Sequence, residues 1–96
     1  MNYSQIVAKL KRLEPSLQRQ YQVKSLGLFG SYVRGEQKSR SDLDLLVEFS
    51  KTPSLFAFIR LENKLSETFG VKVDLVMKNS LKKVIGQHIL KEVVVI

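Results

Sequence analysis

The amino-acid sequence predicts an α/β (α+β) fold in which helices pack on one small sheet. The chain has 96 residues, which suits a single domain spanning 1–96. Its 44% hydrophobic and 26% charged residues are an ordinary composition for a globular domain. Segments with apolar residues at helical spacing alternate along the chain with short apolar runs rich in β-branched residues. This alternation is typical of helices layered on a sheet.

Composition also restricts the function. The absence of cysteine excludes disulfides and thiolate metal sites. No apolar run approaches the roughly 20 residues that span a bilayer, and the first residues lack a signal peptide's apolar core, which fits a cytoplasmic protein. The net charge of +7 favours an anionic partner. Because the basic residues are dispersed, a solvated basic surface is favoured over a dedicated nucleic-acid groove.

The first two elements are a helix and a strand. Pro15 interrupts the helical pattern and predicts a kink or a restart. The apolar run Val23–Phe29 predicts the first strand. The apolar positions that define the helix are Ile6, Leu10, Leu13 and Leu17.

A short helical turn and a loop follow. Gly30 and Ser31 end the strand, and Ser31 is expected to act as the N-cap of a turn through Tyr32, Val33 and Arg34. The polar stretch Gly35–Ser41 predicts a loop.

The second strand, Leu43–Phe49, contains the continuous apolar stretch Leu45–Val47, which predicts burial on both faces. The next helix is expected to begin after an N-cap at Ser54 and to end at Gly70. The positions expected to form its buried face are Leu55, Phe58, Leu61, Leu65 and Phe69.

A third strand and a last helix complete the prediction. Val71–Val76 reads as a strand, and Asn79 or Ser80 would cap the last helix, which Gly86 weakens or breaks. Val93–Ile96 is either an edge strand or a frayed helix end. The inward positions of the last helix are expected to be Leu81, Val84, Ile85 and Ile89.

Two aspartates stand at the beginning of the second strand. Side chains at positions i and i+2 of a strand share a face, so Asp42 and Asp44 point the same way and Leu43 points to the core. Adjacent carboxylates repel each other unless a cation lies between them. Mg²⁺ prefers oxygen ligands, and two such ions can hold both the attacking and the leaving oxygen of a phosphoryl displacement. The pair therefore indicates a metal site.

Asp74 is the candidate for a third carboxylate. It lies in the apolar stretch VKVDLV, where an unpaired buried aspartate is costly. Alternation places Val73 and Leu75 on one face and Asp74 on the other. If this strand lies beside the Asp42–Asp44 strand, three carboxylates converge, and one of them can accept the proton of an attacking hydroxyl.

Gly30, Ser31 and Arg34 supply a complementary set for phosphate. A glycine lets the backbone approach a phosphate closely, and free backbone N–H groups can donate to it. Ser31 adds a hydroxyl, and the Arg34 guanidinium suits a phosphate. Each feature alone is more often a turn, a solvated strand end or a surface arginine. Their combination in this order favours a site.

These residues form an ordered set that resembles the motifs of the minimal nucleotidyltransferases, which belong to the DNA polymerase β-like superfamily. The set consists of Gly30-Ser31, Arg34-Gly35, Asp42-x-Asp44 and Asp74. The resemblance covers nearly the whole chain. It implies a mixed, mainly antiparallel sheet with helices packed on it. Tyr32, Val33 and Gln37 depart from residues common in the family, which bears on base choice and local packing rather than on the class.

The resemblance also implies roles for the residues. Asp42, Asp44 and Asp74 would bind two Mg²⁺ ions, and Asp74 would help to deprotonate the acceptor. Gly30 and Ser31 would hold the β- and γ-phosphates of a nucleoside triphosphate, with Arg34 contacting phosphate. The implied reaction is nucleotidyl transfer, with ATP as the expected substrate.

Many minimal members are antitoxins that transfer AMP to a tyrosine of a HEPN toxin, so a HEPN toxin is the expected partner. A non-catalytic antitoxin that blocks its partner sterically, or a nucleic-acid-binding module, remain as alternatives. Nucleotide preference, the acceptor hydroxyl and the oligomeric state stay open at this point. No role is expected for His88.

Overall fold

The computed structural model describes residues 2–38, 41–80 and 83–96. Within them, four α-helices, a 3₁₀ turn and four strands follow one another along the chain. The elements are α1 Tyr3–Tyr21, β1 Val23–Phe29, α2 Ser31–Arg34, β2 Leu43–Phe49, α3 Leu55–Phe69, β3 Val73–Met77, the 3₁₀ turn Lys78–Ser80, α4 Lys83–Glu92 and β4 Val94–Val95. None of these helices is both long and apolar enough to cross a lipid bilayer.

The four strands form one sheet in the order β3-β2-β1-β4. Strand β1 pairs antiparallel with β2 and with β4, whereas β2 and β3 are parallel. The prediction of a mixed, mainly antiparallel sheet is therefore confirmed. The last strand is the edge strand that was one of two predicted alternatives.

Helix α1 begins with a capping box, in which Asn2 and Gln5 each accept a hydrogen bond from the other's backbone N–H. The helix continues through Pro15, so the predicted restart is wrong. Pro15 is exposed, and the backbone hydrogen bond that a proline removes can there be replaced by water. The packing of Ile6, Leu10 and Leu17 keeps both halves of the helix on the same core.

The core lies between one face of the sheet and helices α1 and α3. Leu61, Leu65 and Phe69 of α3 are buried, as predicted, but Leu55 is 70% exposed. At 100° per residue, Leu55 lies about 120° around the helix from Leu61, outside the buried stripe. The strand residues that face this core are Val23, Leu26, Leu28, Leu43, Leu45, Val47, Val73 and Leu75.

The outer edge of β3 is covered by side chains of α3. The backbone N–H of Val73 donates to Ser66 Oγ at 3.0 Å, and that of Leu75 donates to Glu62 Oε2 at 3.0 Å. Ser54 caps the beginning of α3 by accepting from the N–H of Ala57, as predicted. An edge strand with open N–H groups invites pairing with other chains, and α3 satisfies two of them here.

The opposite face of the sheet is approached by the end of α4. Gly27 and Leu46, paired across β1 and β2, line a small cavity together with Leu90 and Val93. A side chain at Gly27 would collide with Val93, so this glycine makes room for the chain that leaves α4. Gly86 lies inside α4, so the predicted break there is wrong. The inward orientation predicted for Leu81, Val84 and Ile85 falls on side chains outside the described residues.

Candidate active site

Two of the predicted carboxylates stand side by side on the face of the sheet that α1 and α3 leave uncovered. Asp44 of β2 and Asp74 of β3 are direct partners in the parallel pairing. Their neighbours Leu43 and Val73 are buried in the core at 0% and 1% exposure. Because strand side chains alternate, the two aspartates point away from that core, as the sequence predicts.

The electrostatics of Asp44 reflect this convergence. Burial raises its pKa most, followed by the negative charges of Asp74 and Asp42, so that the pKa of Asp44 reaches about 6. A carboxyl surrounded by like charges holds its proton more tightly unless a cation is present. Asp42 therefore belongs to the same electrostatic cluster, although it precedes β2 and is exposed.

The three carboxylates suit a hard divalent cation, because such a cation is coordinated by carboxylate oxygens and its positive charge would relieve the repulsion between them. Within the described residues, no three side chains of the metal-binding types form a closed cluster around a common point. Asp42 and Asp74 are both exposed, whereas Asp44 is the partly buried member. The three residues fit a cation by their chemistry and electrostatics.

Gly30 lies directly against Asp44. It follows Phe29, the β1 partner of Asp44, and has φ 83° and ψ −154°, a region that is essentially restricted to glycine. A Cβ at this position would lie 2.9 Å from Asp44 Cγ and would collide with its carboxylate. Both the backbone conformation and the available space therefore require glycine here. Gly30 rather than Ser31 is the N-cap of α2, so the predicted capping role of Ser31 is wrong.

Ser31 and Tyr32 begin the short helix α2. Ser31 is partly exposed beside Gly30, and its backbone carbonyl accepts a hydrogen bond from the N–H of Glu36 at 2.9 Å. This bond and the left-handed Gly35 close the turn. Tyr32 is 6% exposed and belongs to the core, so its side chain packs inside the domain.

Arg34 is held by two carboxylates. Its Nη1 donates to Glu92 Oε1 at 2.6 Å, and its Nε donates to Glu36 Oε2 at 3.3 Å. The hydrogen bonds to Glu92 and Glu36 raise the pKa of Arg34 above its usual value, so the guanidinium is always charged. Glu92 also accepts the backbone N–H of Gly30, through Oε2 at 3.0 Å.

These groups border an open cavity of about 470 Å³, within the range of small-molecule sites. Its lining residues are Phe29, Gly30, Arg34, Asp44, His88, Ile89 and Glu92. The structure thus brings Gly30, Arg34 and Asp44 to one cavity, with Asp74 beside Asp44. A cavity of about 390 Å³ at the other ends of β2 and β3 is lined by Phe49, Met77 and Lys78, among others, and by none of the three aspartates.

The contribution of α4 was missed from the sequence. His88, which had no expected role, and Glu92 both line the cavity, although they are far from Gly30 along the chain. One local signal for Glu92 existed. A carboxylate in the last turn of a helix faces the negative end of the helix dipole, so such a residue needs a positive partner, which here is Arg34.

Comparison with known proteins agrees with this geometry. Residues 10–96 match the nucleotidyltransferase domain family. A protein adenylyltransferase, MntA, of Thermococcus cleftensis is 46% identical over 94 residues, which cover 98% of this chain and 95% of the relative. The structure of a minimal nucleotidyltransferase superposes with a TM-score of 0.82 at 31% identity, covering 98% of this chain and 95% of that one.

A chain of a toxin–antitoxin complex solved with AMP-PNP superposes with a TM-score of 0.75 at 28% identity, covering 88% of this chain and 69% of that one. The sequence match, the mixed sheet and the aspartates at its uncovered face lead to the same assignment. This chain is a member of the nucleotidyltransferase domain family, and its resemblance to the minimal nucleotidyltransferases is confirmed.

Proposed function

We propose that this chain, as one domain over residues 1–96, transfers AMP from ATP to a hydroxyl of a partner toxin of the HEPN class, with a tyrosine as the acceptor and Mg²⁺ as the cofactor. It would thereby act as an antitoxin in the cytoplasm. The observation that carries the proposal is the register of Asp44 and Asp74, with Gly30 packed against Asp44.

The three aspartates would hold two Mg²⁺ ions, which supply charge neutralisation at the phosphates. Burial and then the negative charges of Asp74 and Asp42 raise the pKa of Asp44 to about 6, so the neighbouring carboxylates contribute to an unfavourable cluster when no cation is bound. Binding of a divalent cation would therefore convert a repulsive cluster into a favourable one.

The phosphate tail would lie at Gly30, Ser31 and Arg34. Since Gly30 has no side chain, the Asp44 carboxylate packs directly against its backbone, and the triphosphate would lie beside both residues. Ser31 would donate its hydroxyl, and the guanidinium of Arg34 would pair with a phosphate oxygen. In this arrangement the β- and γ-phosphates are held on one side of Asp44 and the α-phosphorus faces the carboxylates.

The chemical step is an in-line displacement at the α-phosphorus. The acceptor hydroxyl oxygen forms a bond to this phosphorus, and the bond from the α-phosphorus to the oxygen bridging to the β-phosphate breaks. Pyrophosphate leaves with the electron pair of that bond. Asp74, which is exposed at the open side of the cluster, accepts the proton of the acceptor hydroxyl.

The partner assignment is supported by the toxin–antitoxin complex with AMP-PNP, to which this chain is 28% identical, and by the adenylyltransferase MntA relative. In that setting the partner protein is also the substrate, because its hydroxyl is the group that receives AMP. The net charge of +7 is compatible with an acidic face on such a partner.

The test is transfer of label from α-labelled ATP to a purified HEPN toxin, with and without Mg²⁺. Asp44→Asn should lose transfer. Glu48→Gln is the matched control because Glu48 lies on the same strand and face but bonds to Ser25 Oγ at 3.2 Å instead. Transfer that persists in Asp42→Asn and Asp44→Asn proteins would contradict the mechanism. Full neutralisation of the toxin without transfer would favour a steric antitoxin.

A further inference from the structure

We propose that Glu92 is an internal competitor of the triphosphate: its carboxylate occupies the Gly30–Arg34 phosphate cradle and must leave before a nucleotide can fill it. Here the phosphate cradle means the Gly30 backbone N–H together with the Arg34 guanidinium. The inference rests on the proposed function, because that function assigns these two donors to the phosphates. Glu92 would thus be a residue that sets nucleotide affinity.

The contacts of Glu92 resemble those expected of a bound phosphate. One carboxylate oxygen accepts from Arg34 Nη1 at 2.6 Å, and the other accepts from the N–H of Gly30 at 3.0 Å. Both oxygens are thus used, and the shorter bond is charge-assisted. The Glu92 side chain is only 22% exposed, so it lies within the cavity rather than on the outer surface.

The hydrogen bonds also show which form of Glu92 occupies the cradle. Burial alone would raise the pKa of Glu92, but the hydrogen bonds from Arg34 and from the Gly30 N–H outweigh it and lower the pKa. The group is therefore an anion at neutral pH. A carboxylate anion and a phosphate oxygen cannot accept the same N–H, and their charges repel.

The main chain at Glu92 is fixed on both sides. The residue ends α4, and the pairing of Val94 and Val95 with Leu28 and Gly27 of β1 begins two residues later. Displacement of Glu92 is therefore a rotation of its flexible side chain out of the cradle. Such a rotation leaves the helix and the sheet in place.

The competitor acts selectively on ligands that fill the cradle. ATP, AMP-PNP and pyrophosphate would all have to displace Glu92, whereas AMP, which lacks the β- and γ-phosphates, would not. Since pyrophosphate is the leaving product, return of Glu92 to the cradle would also favour its release. Glu92 would thus weaken binding of the triphosphate and at the same time speed the release of pyrophosphate.

The test measures binding of AMP-PNP, pyrophosphate and AMP, each with Mg²⁺, by titration calorimetry. Glu92→Gln keeps the size of the side chain and removes its charge. Loss of a charge-assisted competitor predicts AMP-PNP and pyrophosphate binding about tenfold tighter than in the wild type, with AMP binding unchanged. Glu92→Ala, which also removes the hydrogen-bonding group, should show the same direction.

Glu36→Gln is the matched control. Glu36 also bonds to Arg34, through Nε at 3.3 Å, but it does not accept from Gly30 in the structure. Its replacement should leave AMP-PNP affinity within about twofold of the wild type, because a weak exposed ion pair contributes little. The Gly30 amide resonance should shift in Glu92→Gln and stay in place in Glu36→Gln.

The outcomes separate the inference from the function. Weaker AMP-PNP binding by Glu92→Gln would overturn the inference, since it would make Glu92 a support for Arg34. Equal changes in the Glu92 and Glu36 variants, or an unmoved Gly30 amide, would also overturn it while the proposed function stands. If neither wild type nor variants bind AMP-PNP with Mg²⁺, the proposed function fails and the inference fails with it.

Discussion

Asp44 and Asp74 are paired residues of two neighbouring parallel strands and project from the same face of the sheet. Strand β2, which carries Asp44, follows the short helix α2 along the chain, and β3, which carries Asp74, follows the longer helix α3. Burial and then the negative charges of Asp74 and Asp42 raise the pKa of Asp44, the more buried of the two. The pairing is explained if the site works with a bound cation.

Replacement of Asp74 should separate catalysis from folding. Asp74 is exposed, so Asp74→Asn is expected to leave the melting temperature nearly unchanged. Loss of a carboxylate that holds metal and accepts the proton should lower the transfer rate by about 10²- to 10³-fold. Single-turnover transfer of labelled AMP to the partner measures this effect. A rate within a few-fold of the wild type would exclude Asp74 from the reaction.

The pKa of Asp44 predicts how stability depends on pH. Burial and then the charges of Asp74 and Asp42 raise it from 3.8 to about 6 in the folded protein. A carboxyl with a raised folded pKa contributes most stability at low pH and loses that contribution as the pH rises through 6. In a chelator, the wild type should therefore lose stability relative to Asp44→Asn between about pH 4 and pH 7.

The expected size of this loss is about 1 kcal/mol, well below the full pKa shift, because water screens the partly exposed carboxylate. Urea denaturation of both proteins across the pH range measures it. Added Mg²⁺ should stabilise the wild type more than Asp44→Asn at pH 8. Parallel pH curves for the two proteins in chelator would contradict the origin assigned to the shift.

Gly30→Ala should lower the stability of the fold for two reasons, and a control variant separates them. Its backbone lies at φ 83° and ψ −154°, and a Cβ would collide with the Asp44 carboxylate. We expect a loss of about 3 kcal/mol in the free energy of unfolding. Gly35→Ala is the control, because Gly35 has φ 72° but no atom within 4 Å of an added Cβ.

Gly35→Ala should cost only about 1 kcal/mol, the price of a left-handed backbone conformation for a residue with a side chain. Urea denaturation compares the two variants. Equal losses would mean that contact with Asp44 adds nothing beyond the backbone conformation.

Glu62 should stabilise the fold through the edge of β3. Its carboxylate accepts the N–H of Leu75 at 3.0 Å, and Glu62→Ala leaves that donor without its partner. The expected loss is about 1–2 kcal/mol, with faster hydrogen exchange at the Leu75 amide. Glu67→Ala, on the exposed side of the same helix, should change stability by less than about 0.5 kcal/mol. Unchanged exchange at Leu75 would argue against the contact.

Local patterns predicted the strands well and the helix interruptions poorly. Strands β1 and β2 have the predicted bounds, because each is a dense apolar run between polar or glycine residues. Pro15 and Gly86 both lie within continuous helices. Around Pro15, the packing of Ile6, Leu10 and Leu17 in the core outweighs the local cost of the proline, which sequence propensity alone cannot weigh. β3 spans Val73–Met77 rather than the predicted Val71–Val76.

The site was predictable where its residues are close in sequence or repeat with strand period. The alternation in VKVDLV placed Asp74 on the same face as Asp44, which the strand pairing confirms. The common face of Asp42 and Asp44 stays a prediction from their spacing, because Asp42 precedes β2. The contribution of α4 was not predictable in this way. Glu92 meets Gly30 across 62 positions of the chain, and only the fold brings them together.

The two hydrogen bonds from β3 to α3 have a consequence for the chemistry on the other side of the sheet. Glu62 and Ser66 accept hydrogen bonds from the backbone N–H groups of Leu75 and Val73, so they fix the register of β3 against β2. A slip by a single residue would exchange the two faces of β3 and turn Asp74 into the apolar interior. Helix α3 thus fixes the position of Asp74 beside Asp44 from the opposite face of the sheet.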